Sequence, residues 1–249
     1  MELKEKKGFI DLWKRHFNGA SLPIAFYYTN VELKSAMPKP TKGHRCIFSD
    51  ISHVLQGNTR CFNADVIGCT GGRRYLGFSQ ELRPYFEYFL SCGLPGKVEG
   101  ERYKKSPEIV KEAMRYWPRF EAPARYIIFK RWDMLEEPDD PDVVTFFATP
   151  DVLSGLFTLA NYDQVEPNGV FAPFSAGCAS IVQYPYLEKD SNRPRCVLGL
   201  FDVSARPFIP EGTLSFSVPI TKFKTMVENM EESFLITKSW KKIRRRIKQ

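Results

Sequence analysis

Apolar residues recur along the chain with two periods, and the alternation between them lays out a mixed architecture. Over residues 3–17, Phe9, Ile10, Leu12, Trp13 and Phe17 share one stripe at helical spacing while Lys and Arg fill the other side. That pattern predicts an amphipathic helix docked on a core. Pro23 opens the run Ile24 to Tyr28, whose length and aromatic content predict a strand, and a Pro-rich loop around Pro38 and Pro40 follows. Between Gly43 and Cys69 the pattern reads strand, short helix, strand, with Asp50 capping a helix through His53 and Leu55 that Gly57 and Asn58 end. After a turn at Gly71 and Gly72, Leu82, Tyr85, Phe86 and Phe89 form a helical stripe. Ser106 followed by Pro107 then starts a helix through Ile109, Val110, Ala113 and Met114.

The second half repeats this mixture. Strands are predicted at Arg125 to Trp132 and Val143 to Ala148, either side of an acidic, Pro-rich loop from Glu136 to Asp142. A helix starts at Pro150 and runs through Leu153, Leu156 and Leu159. Strands at Cys196 to Phe201 and Leu214 to Val218 precede a helix with Ile220, Phe223, Val227, Met230 and Phe234 on one face. The fold class is therefore α/β, with α+β the alternative: a mixed sheet with packed helices. A single domain over residues 1–240 is expected, followed by a basic tail at 241–249.

A weak internal echo divides that domain into halves of about 20–120 and 121–237. Ile24 to Tyr28 resembles Val144 to Ala148, His53 to Gly57 resembles Asp151 to Gly155, and Gly68–Cys69 resembles Gly177–Cys178. If the echo reflects duplication, a pseudo-twofold relates two βα halves and brings both glycine–cysteine turns to one interface.

Composition changes this picture little. Hydrophobic residues make up 43% of 249 and aromatics 14%, enough to build a sizeable core, which excludes a disordered or disulfide-scaffold protein. Charge changes it more. Of the net +7, Lys241, Lys242, Arg244, Arg245, Arg246 and Lys248 supply six with no acid among them, so the remaining body is nearly neutral. Trp240, Ile243 and Ile247 recur at helical spacing among these cations, which suits an acidic partner, RNA or an anionic membrane surface, against the plainer reading of a solvated terminus. There is no sequence-specific nucleic-acid motif. No apolar run reaches the roughly 18–20 residues of a transmembrane segment, and the N-terminal residues lack a secretory apolar region. A cytoplasmic protein with its six cysteines reduced is the expectation.

The sharpest chemical feature is the run Ile67, Gly68, Cys69, Thr70, Gly71, Gly72, Arg73, Arg74. A thiol followed by glycines, whose freedom lets backbone N–H groups converge, and then by two cations suits an anion or a thiolate. It is neither a Walker loop nor a dinucleotide fingerprint, so nucleotide binding is poorly supported. The plainer reading is a tight turn with a buried thiol. Small residues around Cys178, from Ser175 to Ser180, form the second feature, and Cys46 beside His44 and Arg45 the third. The cysteine spacings match no zinc-ribbon or ferredoxin pattern, yet thiols from separate segments can converge in space. Cys46, Cys69 and Cys178 are thus the candidate metal ligands, three thiolates that would leave one iron of an iron–sulfur cluster open, against buried free thiols. For covalent catalysis Cys69 needs a base, and His44 is the best placed of three histidines. Gly68, Gly71, Gly72, Arg73, Arg74 and Gly177 are candidate ligand-binding positions. Asp202 and Arg206 join them as an acid–base pair able to clamp a carboxylate or phosphate, or to form a structural salt bridge.

Gly43 to Cys46, Gly68 to Gly77, Gly177 to Tyr186 and Cys196 to Arg206, followed by Leu214 to Pro219 and Met226 to Phe234, resemble the Domain of Unknown Function family 169 over nearly the whole chain. The resemblance implies Cys69, Cys178, Asp202 and Arg206 as family-type positions. It also implies relatives in anaerobic archaea and bacteria, a setting that fits an oxygen-sensitive cofactor. Thr70 departs from the proline that the resemblance leads one to expect after the cysteine. Two functions follow as expectations: a cofactor- or small-molecule-binding protein with a cysteine-centred site, or an enzyme using Cys69 as nucleophile on an acidic substrate.

Overall fold

The computed structural model describes residues 2–39 and 43–247. Seven strands form one sheet in the order β2-β3-β1-β4-β7-β6-β5, comprising β1 (Ile24–Thr29), β2 (Arg60–Phe62), β3 (Tyr126–Arg131), β4 (Val143–Ala148), β5 (Val170–Phe171), β6 (Cys196–Gly199) and β7 (Leu214–Pro219). Strand pairs are antiparallel except β5 with β6, which are parallel. The mixed α/β expectation holds, and helices cover both faces.

On the first face lie α1 (Leu3–His16), α6 (Pro150–Ala160), α8 (Ile220–Glu228) and α9 (Lys238–Arg244), whose apolar stripes pack on Ala25, Val144, Phe146, Phe216 and Val218. The stripe read from residues 3–17 is the buried one, with Phe9, Trp13 and Phe17 each at most 3% exposed. One cation departs from its expected solvent side. Lys6 is 2% exposed, and its Nζ donates to the carbonyls of Glu136 and Asp139, pinning the acidic loop that follows β3.

On the second face α2 (Phe48–Leu55), α3 (Thr70–Tyr75) and α7 (Tyr184–Glu188) pack on Ile24, Phe26, Phe129 and Phe147. A single helical turn, α4 (Phe86–Phe89), and α5 (Pro107–Met114) lie in the long excursion between α3 and β3. Ser106 caps α5 as expected, its Oγ accepting from the Ile109 N–H.

Several local expectations are corrected. No strand forms between Gly43 and the expected short helix, which is α2; Arg45 of that stretch pairs with Asp50, as does Arg60. Asp50 is thus inside the first turn of α2, with Ile47 at the cap. Gly71 and Gly72 lie within α3 and do not make a tight turn. The stripe from Leu82 yields only α4, since Tyr85 sits at φ 59 and breaks the helix before it. Pro40 and Lys248 fall outside the described residues.

Duplication is not shown by this arrangement. Outward from the central β1–β4 pair the sheet reads β3, β2 on one side and β7, β6, β5 on the other, and β3, from the second half of the chain, pairs between β1 and β2 of the first. The echoing helices α2 and α6 lie on opposite faces of the sheet. The basic segment is docked: Trp240 and Ile247 are buried at 3% and 8% exposure in the first-face core. Among the described residues no helix is long and apolar enough to cross a membrane.

Candidate functional site

Four separate stretches of chain meet on the second face, and glycines mark where they touch. A Cβ on Gly68 would lie 3.3 Å from the Arg45 backbone nitrogen and 3.3 Å from the Gly43 carbonyl, so the segment before Cys69 rests on the segment before Cys46. A Cβ on Gly177 would come within 2.8 Å of Phe48 and of Leu200 and 3.1 Å of Ala205. Only glycine fits there. The Gly177 N–H donates to Asp202 Oδ2 at 3.0 Å, while Asp202 Oδ1 accepts from the Ser204 N–H at 3.1 Å and from its hydroxyl at 2.8 Å. One carboxylate therefore ties the turn before Cys178 to the loop after β6.

Each thiol reaches the site from a different element. Cys69 ends an extended stretch (φ −120, ψ 124) and caps α3, its Sγ accepting the Gly72 N–H at 3.4 Å. Gly72 is confined, since a Cβ would lie 3.0 Å from Ile67 Cγ2. Cys46, half-buried, leads into α2, and Cys178 is buried at the start of a π-helical stretch, Ala179–Gln183, that continues into α7. Burial pushes the Cys178 thiol well up from its ordinary value, and interactions with Cys69, Cys46 and Asp202 push it further. Cys46 is raised chiefly by burial, with a Phe48 backbone hydrogen bond opposing and Cys69 and Asp202 adding to the rise. Tyr75 is raised by burial and by Cys178, and Tyr103 by burial, Glu101 and Asp202.

The cations expected to hold an anion are engaged elsewhere. Arg73 donates from Nε to the Ile67 carbonyl at 2.8 Å, Arg74 bonds the Gln80 carbonyl, and Arg206 bonds the Thr213 carbonyl. These arginines brace their own loops. Asp202 and Arg206 do not pair. His44 is exposed and forms no hydrogen bond to Cys69; among the described residues only the His16 ring has a hydrogen-bond partner, Glu231. No group of three or more His, Cys, Asp or Glu side chains among the described residues is gathered so as to hold a metal ion.

Other features of the site escaped the sequence reading. The π-helical stretch, an irregularity common at functional sites, carries Ser180, whose Oγ donates to the Gly177 carbonyl at 2.8 Å and accepts the Leu200 N–H at 3.3 Å. Leu200 adopts φ 65, a left-handed conformation that costs a branched side chain, at the end of β6. Ser175 and Ser215 carry buried hydroxyls with no hydrogen-bond partner. The run of small residues from Ser175 to Ser180 was the available signal. Nothing in sequence pointed to Tyr103.

Fold and site together define a mixed α/β protein in which separate segments contribute three free thiols to one face of its sheet. The chain belongs to the family DUF169, described as "Uncharacterised ArCR", whose model matches residues 16–229. The matched span takes in all three thiols and Asp202. No curated protein and no solved structure matches the chain.

Proposed function

We propose that the protein binds a thiophilic cofactor or small-molecule ligand at the site framed by Cys46, Cys69 and Cys178, with an iron–sulfur cluster the form that suits three thiols best. One observation carries the reading: three cysteines, 23 and 109 residues apart along the chain, line the same second-face core cluster, where glycines allow the segments to approach closely. Burial makes Cys46 and Cys178 reluctant to ionise, and a bound cationic centre would offset that cost by favouring their thiolates. Reduced thiols of this kind fit a cytoplasmic setting.

Cys69 acting as a nucleophile on an acidic substrate is the second reading, and the Gly72 N–H donated to its sulfur favours it. It ranks lower because Arg73, Arg74 and Arg206 are spent on backbone carbonyls and His44 makes no hydrogen bond to Cys69. Anaerobic purification and reconstitution, followed by a visible spectrum and iron and sulfide analysis, separate the two. Bound iron that is lost in Cys69→Ser and Cys178→Ser variants is the expected result. A colourless, metal-free protein whose Cys69 alone is rapidly alkylated would overturn the cluster and leave the nucleophile.

A further inference from the structure

The last helix is held down by its apolar side, and this decides what its other side is free to do. Trp240 packs on Phe17 with ring centroids 5.1 Å apart and donates its Nε1–H to the His16 carbonyl at 2.8 Å. Ile247 is buried in the same core and Ile243 packs at its edge. With positions 240, 243 and 247 turned inward, Lys238, Lys241, Lys242 and Arg245 fall three or four residues apart on the outward stripe. All four are exposed, and among the described residues none forms an ion pair, while the cations beside them are occupied. Arg246 pairs with Asp151 at 3.1 Å, Arg15 with Glu231 at 2.9 Å, and Arg244 bonds the Arg15 carbonyl. Ile236, 52% exposed, stands just ahead of the stripe.

The geometry points to this stripe as a docking surface for an anionic lipid bilayer. Three of its four cations are lysines, flexible point charges suited to a fluid array of headgroups more than to the fixed, two-pronged geometry that arginine reads. The exposed Ile236 beside them suits the headgroup boundary. A single-stranded nucleic acid would call for an aromatic side chain on which to stack, and Trp240 is turned into the core. Because the apolar side of α9 is already buried against the protein, adsorption is peripheral and electrostatic, with no helix inserted. The surface lies on the first face of the sheet and is independent of the thiol site.

Each lysine or arginine near an anionic membrane contributes roughly fivefold in partitioning, so four together are worth several hundredfold at low salt. The test is sedimentation of the full chain with vesicles of mixed phosphatidylglycerol and phosphatidylcholine, against phosphatidylcholine alone, at low ionic strength. Binding to the anionic vesicles only, weakened by added salt, is expected. A variant combining Lys238→Gln, Lys241→Gln, Lys242→Gln and Arg245→Gln should lose that binding with an unchanged melting temperature. The single reversal Lys242→Glu serves should the fourfold variant fold poorly, and should weaken binding by more than tenfold. Failure of the wild-type chain to bind anionic vesicles, binding that survives these substitutions, or capture of single-stranded RNA without capture of vesicles would overturn the proposal.

Discussion

The two faces of the sheet are built on different terms. Toward the first face, β4 and β7 present Val144, Phe146, Ala148, Phe216 and Val218, and four regular helices cover them. Toward the second face the same two strands present Val143 and Phe147 together with the polar Thr145, Ser215 and Ser217, with Thr145 donating to Ser217 at 2.9 Å, and the cover is short helices, a π-helical stretch and loops. A protein seeking only stability would make both faces like the first. The polar strand positions, the left-handed Leu200 and the three thiols of the proposed site all fall on one side, and the more regular packing falls on the other.

The strongest way to break that division is Trp240→Ala. The ring is 3% exposed, lies over Gly155 so closely that a Cβ there would sit 2.3 Å away, and packs on Phe17 and Phe234. Its removal should cost about 3–5 kcal/mol in denaturant unfolding while leaving ligand content per folded molecule unchanged. A cost under about 1 kcal/mol would mean that α9 is not part of the stabilising face.

A smaller effect on stability, with a larger one on the site, is expected for Asp202→Ala. Two backbone N–H groups, those of Gly177 and Ser204, lose their acceptor, a penalty of about 1–3 kcal/mol. The turn before Cys178 is released with them. Alkylation of the native protein followed by peptide mapping should show Cys178 reacting several-fold faster than in the wild type; unchanged protection would show that Asp202 does not hold the turn.

How much of this was legible follows from the same contrast. The first face was read well: the stripe of α1, the Pro150 start of α6 and strands β4 and β7 come from periodicity and proline, signals that regular elements carry by construction. On the second face the helix through His53 and Leu55 is legible and forms as α2, while the site itself is legible only as residues. Cys46, Cys69 and Cys178 were picked out by their glycine and small-residue neighbours, yet their environment depends on contacts between segments that periodicity does not encode. Arg73, Arg74 and Arg206 looked like an anion clamp because adjacency in sequence says nothing of which carbonyl a long side chain will reach. The tail misled for a related reason. Its cations are visible in a composition count, whereas the docking of Trp240 on His16 and Phe17 joins residues more than 220 apart.

Alkaline pH sharpens the comparison further, because each face buries a thiol. Burial raises both Cys178, on the second face, and Cys196, in the first-face core, above the ordinary thiol value of about 8.5–9. A thiol raised by folding keeps its proton longer in the native state, so its contribution is complete below the unfolded-state value and is lost as pH rises toward the folded one. Stability should therefore decline above about pH 9, and less steeply in Cys196→Ala. Alkylation near pH 9 should reach Cys178 before Cys196, since short irregular elements open locally more readily than a helix-covered core. Equal protection of the two would argue that the faces do not differ in local stability.

The smallest expected effect bears on Thr70. It occupies the first position of α3, where proline is favoured because the N–H of that position has no partner within the helix. The residue before a proline must be extended, and Cys69 already is, at φ −120 and ψ 124. The side chain of Thr70 is exposed. Thr70→Pro should accordingly stabilise the protein by about 0.4–1 kcal/mol, through fewer unfolded conformations and not through any new contact. Cys69 keeps its backbone and its bond from Gly72, so ligand content and alkylation rate should stay as they are. A loss of ligand with stability intact would place the residue after the cysteine in the chemistry of the site.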